Sequence, residues 1–148
     1  MGLNSLFGKT VYLDTNIFIY AIEGFIEYKP VLTALFEAVE NSELTIVTSE
    51  LTLAECLVKP CKDNNHKLKD LYCSFIQSSN FLTVLSIDRK CLIKSADLRA
   101  EVGGKLPDAI HIASAIGYEC DVFLTNDNSI RVSNTLELIF LDLIKNNN

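Results

Sequence analysis

Four carboxylates in this chain stand where a carboxylate does chemistry as readily as it does structure. "YLDTNIFIYA" (12–21) runs an apolar stretch into Asp14, then Thr15 and Asn16, and turns apolar again. "FLTNDNSI" (123–130) repeats the arrangement, with Asp127 following an apolar run. Asp108 opens "DAIHIASAIGY" (108–118), and Glu55 lies within "SELTLAECLVK" (49–59). Each has a plainer use as well. Asp14 is a good N-cap for a helix beginning at 16, and "TNDNS" reads as a turn cluster around Asp127. A first-turn Asp such as Asp108 is favoured by the helix dipole, although its free oxygen is also placed to hold a cation. Glu55 suits an i,i+4 pair with Lys59, contributing about 0.3 kcal/mol on a solvent-facing stripe. That stripe is narrow, since Leu51, Leu53, Ala54, Cys56, Leu57 and Val58 surround it.

The elements that must position these groups follow from periodicity. "TVYL" (10–13) is a strand, and 17–22 a short helix leading away from it. Val31, Leu32, Leu35, Phe36 and Val39 recur at helical spacing, which predicts an amphipathic helix over about 29–41. "LTIV" (44–47) is a second strand. Ser49 is a cap for the next helix, which is expected to stop near Val58 ahead of Pro60. A further helix is expected over about 63–78, a third strand in "FLTVLSI" (81–87), and a helix from Asp88 as N-cap to about Val102. "VGGKLP" (102–107) is a loop, with Pro107 in a first helical turn. A helix over about 108–118, a strand "DVFLT" (121–125) and a last strand "LELIFLD" (136–142) complete the pattern. Short apolar strands alternating with helices predict an α/β fold, a parallel sheet covered on both faces with right-handed crossovers. Sites in such sheets lie beyond the carboxyl ends of the strands, the edge where Asp14 and Asp127 fall.

The bulk properties narrow the function. At 148 residues and 49% hydrophobic composition, with no Pro/Gly/Ser-rich or charged linker, the chain is expected to form one domain over 1–148. Its longest apolar run, "IFIYAI" (17–22), is far short of the roughly 20 residues of a membrane span. The N-terminus has no signal-peptide pattern, and Leu6 stands where myristoylation needs Ser or Thr. The five cysteines are scattered and form no CxxC pair, which favours reduced thiols in a cytoplasmic protein over a disulfide framework or zinc site. A net charge of −6 argues against broad nonspecific nucleic-acid binding but is compatible with a nuclease whose carboxylates are offset by metal ions. "GLNSLFGKT" is no phosphate-binding loop: five residues separate Gly2 from Gly8 where the motif has four, and it precedes a strand. In the 108–118 helix, His111, Ser114 and Tyr118 are expected on the polar face. Neither His111 nor His66 has a nucleophile arranged beside it, so neither is expected to be catalytic.

Taken in order, Asp14, Glu55, Asp108 and Asp127 fall at a strand end, within a helix, at a helix start and at a strand end. In this the sequence resembles the PIN-domain ribonucleases, in particular the VapC-like toxins of toxin–antitoxin pairs. The matching stretches are "VYLDTNIFIYAIEG", "TIVTSELTLAECL", "LRAEVGGKLPDAIHIASAI" and "DVFLTND". "LDTN" alone is weak; "PDAIHIA" following it, with "LAE" between and "LTND" after, is the specific part. The resemblance implies a sheet of order 3-2-1-4-5 and four acidic site positions at Asp14, Glu55, Asp108 and Asp127. It further implies an endoribonuclease using Mg²⁺ or Mn²⁺, a homodimer, and a cognate antitoxin that occupies the site.

Physical chemistry agrees with that implication. Clustered carboxylates raise one another's pKa unless cations neutralise them, and an oxygen-only set without His or Cys suits Mg²⁺ or Mn²⁺ rather than zinc. Asp14 and Asp108 are expected as direct ligands, with Glu55 and Asp127 as further ligands or water-positioning groups. Thr15 and Asn16 are expected to support the ligands or contact phosphate. Arg99 and Lys105 would meet RNA phosphates, or serve as plain solvated charges.

Rival readings use the same acids differently. A PIN-fold protein-binding module with weak or no nuclease activity keeps all four. A phosphoacceptor receiver domain needs an acidic pair after its first strand, where this chain has the single Asp14. A haloacid-dehalogenase-type phosphatase needs Asp-x-Asp, against Asp14-Thr15-Asn16 here.

Overall fold

The computed structural model describes residues 1–133 and 135–145. Five strands, β1 (Thr10–Leu13), β2 (Thr45–Ser49), β3 (Leu82–Leu85), β4 (Val122–Thr125) and β5 (Glu137–Phe140), form one parallel sheet in the order β3-β2-β1-β4-β5. The helices are α1 (Thr15–Ile22), α2 (Lys29–Glu40), α3 (Glu50–Lys62), α4 (His66–Phe75), α5 (Arg89–Val102), α6 (Leu106–Gly117) and α7 (Leu141–Lys145). The expected fold class and strand order are both observed. β1 is the central strand, and the chain builds outward from it first through β2 and β3, then through β4 and β5. The order therefore reverses at β1, which makes its carboxyl end the topological switch point.

Alternation along the strands assigns residues to two cores. Val11 and Leu13 of β1, Ile46 of β2 and Val122 and Leu124 of β4 face one cluster with Phe18, Leu35, Tyr72 and Ile144. Tyr12, Val47 and Phe123 face the other, against Leu98 of α5 and Ala109, Ile112 and Ala113 of α6. Burial on both faces is why these strands read as unbroken apolar runs.

Four local expectations need correction. The α3 helix runs through Pro60 to Lys62, because a proline this close to the C-terminus removes only one helical bond and its ring is buried. Ser49 is the N-cap residue of α3, but its side chain makes no capping bond and is turned toward the Tyr12 hydroxyl instead. The fourth helix is shorter than 63–78, beginning after Asn65, whose side chain accepts from Leu68 N. The last strand ends at Phe140, and Leu141 and Asp142 begin α7. Among the described residues, no helix is long and apolar enough to cross a membrane.

Candidate active site

Asp14 is fixed by the sheet itself. Leu13 pairs with Leu124, and the next backbone bond, Asp14 N to Leu124 O at 3.0 Å, carries the ladder one residue past β1. That register puts Asp14 beside Thr125, whose hydroxyl donates to Asp14 Oδ2 at 2.7 Å. Asn16 Nδ2 donates to the same oxygen at 3.3 Å and to Thr125 Oγ1 at 3.1 Å. Thr15 N donates to Oδ1 at 2.8 Å, so Asp14 is also the N-cap of α1. The bonds that cap the helix also aim a buried carboxylate at the sheet edge.

Glu55 reaches the same place from the second turn of α3. Its Oε1 accepts from the Thr15 hydroxyl at 2.7 Å and lies 2.5 Å from His111 Nε2. It is not paired with Lys59, which bonds Glu23 at 3.0 Å. His111 is the residue sequence reasoning missed. It is 1% exposed, with Nε2 also 3.9 Å from Asp14 Oδ1, so its helix face is packed rather than solvated. Ser114, expected beside it on a polar face, is buried too. The available signal was spacing: three residues after Asp108, His111 had to share that acid's side of α6.

Asp108 stands in the first turn of α6 and Asp127 just past β4. Asp127 Oδ1 accepts from Ser129 N at 2.8 Å and from Ser129 Oγ at 2.6 Å, while its own N–H bonds Thr125 Oγ1 at 3.0 Å. Thr125 therefore ties Asp14, Asn16 and Asp127 together, and Asn16 Oδ1 accepts from Asn126 N at 3.2 Å.

The four acids divide into two electrostatic pairs. Burial pushes Asp14 above the usual carboxylate range; His111, Thr125 and Thr15 offset this in part, and Glu55 adds to it. Asp108 is raised by burial and then by Asp14 and Asp127, with His111 opposing and Glu55 adding. Burial would also raise Glu55, but its bonds to His111 and Thr15 and the His111 field hold it below its ordinary value. Asp127 is held low by the two Ser129 bonds, against burial, with help from the Lys105 ammonium. Two carboxyls raised by burial thus sit beside two held low by hydrogen bonds. A cation between them would relieve the strain on the first pair.

The donor set fits a hard divalent ion in kind, all carboxylate and hydroxyl oxygen. Among the described residues, no three His, Cys, Asp or Glu side chains form a ready-made cage. Of the remaining expected residues, Thr15 and Asn16 spend their side chains on Glu55 and Asp14. Lys105 is the N-cap of α6 and acts on Asp127 through its charge. Arg99 Nε bonds Gly104 O at 3.2 Å and braces the loop before Asp108.

The family model described as PIN domain matches residues 11–133. Among solved structures, VapBC2 from Rickettsia felis bound to a DNA fragment from their promoter is 22% identical, with a TM-score of 0.67, covering 88% of this chain and 98% of that one. DNA-bound VapBC from Salmonella typhimurium is 19% identical, with a TM-score of 0.67, covering 90% and 98%. VapC20 from Mycobacterium tuberculosis, a sarcin-ricin loop cleaving toxin, is 12% identical, with a TM-score of 0.63, covering 76% and 86%. No curated protein matches by sequence.

Proposed function

This chain belongs to the PIN domain family, and from that premise we propose that it is an endoribonuclease dependent on Mg²⁺ or Mn²⁺, acting as a VapC-like toxin. The observation that carries the reading is geometric: the β1–β4 register and the Thr125 bond fix a buried Asp14 at the switch point of the sheet, close enough to Asp108 that its charge helps raise that carboxyl. A carboxylate pair strained in this way is costly as mere structure and useful as an ion site.

Asp14 and Asp108 would hold the ion directly, with Glu55 and Asp127 completing the set or orienting the attacking water by accepting its hydrogens. When bound, Mg²⁺ or Mn²⁺ supplies Lewis acidity toward the scissile phosphodiester and offsets charge in the transition state. Thr125, Asn16 and Thr15 keep Asp14 in place. Arg99 and Lys105, at the end of α5 and the start of α6, would steer RNA phosphates toward the acids. The reading includes an antitoxin covering the site, supported by the VapBC assemblies among the structures with this fold; a homodimer and a cytoplasmic location belong to the proposal as well.

The test is cleavage of a mixed pool of structured RNA by the purified chain in Mg²⁺, in Mn²⁺ and in EDTA, with Asp108→Asn in parallel. Metal-dependent cleavage that the variant lacks is expected. Equal behaviour of the two proteins overturns the nuclease and leaves a protein-binding role for the fold.

A further inference from the structure

Glu55 is approached from behind by a buried polar chain that runs from α6 through β1 to the end of β2. His111 Nε2 meets Glu55 Oε1, and His111 Nδ1 lies 2.7 Å from Tyr12 Oη. Tyr12 Oη in turn lies 2.8 Å from Ser49 Oγ. Ser49, Tyr12 and His111 are each 1% exposed or less, so no member of the chain reaches substrate. The rings are held as well, His111 edge-on to Tyr12 and Tyr12 stacked on Phe123 with centroids 5.2 Å apart.

We propose that His111, oriented by Tyr12, is a positioning residue that fixes the Glu55 carboxylate for the reaction, a proposal that rests on the nuclease reading above. The chemistry allows few arrangements. An ionised Glu55 only accepts, so Nε2 must carry a hydrogen. At the other side of the ring Nδ1 is held against the Tyr12 hydroxyl, which in turn donates to Ser49 Oγ. The outcome at the other end is geometric. The Thr15 and His111 bonds both fall on Oε1, and among the described residues no protein donor bonds Oε2. One oxygen of Glu55 is thus clamped, and the other remains for water or ion. Lone glutamates on a helix surface sample several rotamers, and this one is restricted from two sides.

The experiment compares full-length wild type with His111→Ala, His111→Gln, Tyr12→Phe, Glu55→Gln and the His111→Ala/Glu55→Gln double variant. It reads kcat and KM on RNA and, separately, the Kd for Mn²⁺ by calorimetry. His111→Ala is expected to lower kcat about 10- to 100-fold, the range seen when a ligand's supporting partner is removed, with KM changed less than about twofold. His111→Gln, which keeps an N–H donor, should recover part of that loss. In the Glu55→Gln background, His111→Ala should change neither kcat nor the Mn²⁺ Kd. Tyr12→Phe keeps the stacked ring and removes only the hydroxyl, so it carries the test should His111→Ala fail to fold. An unchanged kcat in both His111→Ala and Tyr12→Phe, or an equal loss with and without Glu55, overturns the proposal. If wild type cuts RNA no better than Asp108→Asn, the nuclease reading falls separately. The Mn²⁺ Kd then decides: weakening by His111→Ala that needs Glu55 upholds the positioning role, and an unchanged Kd overturns it.

Discussion

Asp108→Asn should stabilise the metal-free protein while it destroys activity. Asp108 is part-buried in the first turn of α6, and among the described residues no hydrogen bond to its carboxylate is seen. Two effects oppose. The helix dipole favours a first-turn carboxylate by about 0.3–1 kcal/mol. Burial and the charges of Asp14, Asp127 and Glu55 disfavour it, offset only by His111, and the raised carboxyl shows which side wins. Partly exposed charge pairs contribute about 0.2–1 kcal/mol each, so after screening the net gain from neutralising Asp108 is about 0.5–1 kcal/mol. For a chain of this size that is a rise in Tm of about 1–4 °C. The sign also fixes the pH window. The gain is full where folded wild-type Asp108 is ionised, shrinks as the pH falls through its raised folded pKa, and is gone below about pH 4, where the unfolded carboxyl is protonated too. Adding Mg²⁺ at about ten times its Kd should stabilise wild type by about 1.4 kcal/mol and the variant by less, reversing their rank. Urea unfolding in EDTA and in Mg²⁺ measures all of this. A variant less stable than wild type in EDTA, or one gaining as much from Mg²⁺, refutes the reasoning.

Other sites give cleaner losses. Thr125→Val removes the donor to Asp14 Oδ2 and the acceptor used by Asn16 and Asp127; it should cost about 1.5–3 kcal/mol in urea unfolding, with Thr125→Ser near wild type. Tyr72→Phe removes the 2.6 Å bond to Glu23, whose carboxyl burial would raise but Tyr72 and Lys59 hold low. The loss should be about 1–2 kcal/mol at pH 7 and should fade as the pH falls below the ordinary glutamate range through the lowered folded pKa of Glu23, in a pH series of melts. Gly103→Ala should cost about 1–3 kcal/mol by thermal melting, because Gly103 has φ 79° and ψ −155°, a backbone region essentially reserved for glycine.

The fold was legible because its signals are local. "TVYL" gave β1 to the residue, and Asp88 capped α5 as expected, its side chain accepting from Cys91 N at 2.8 Å. Where a local rule met a tertiary demand, the rule lost. Pro60 was carried inside α3 by burial, and Ser49 gave up its capping bond to serve Tyr12. The acids were legible as types at element ends, since topology alone sends Asp14 and Asp127 to one edge. Their partners were not. That Thr125 would serve Asp14 depends on the β1–β4 register, and that His111 would meet Glu55 depends on how α3 and α6 converge. Neither distance is encoded in any one stretch of sequence. His111 was misread because helical periodicity assigns a polar residue to solvent, whereas here a second polar group was waiting under it.

The placement of β1 between β2 and β4 also has a consequence for synthesis. A ribosome delivers Asp14 early and Thr125 late, with Glu55 and then Asp108 between them. Until β4 arrives, β1 is an open edge, and Asp14 lacks both its backbone partner Leu124 and its hydroxyl partner Thr125. A half-made chain therefore carries the first two acids without the lattice that aims them. The last inner strand inserts beside the first, and the β1–β4 ladder and the Thr125 bond to Asp14 close together, late in folding as pairings of long sequence separation are. Vectorial translation thus keeps the site unassembled while the chain is still growing.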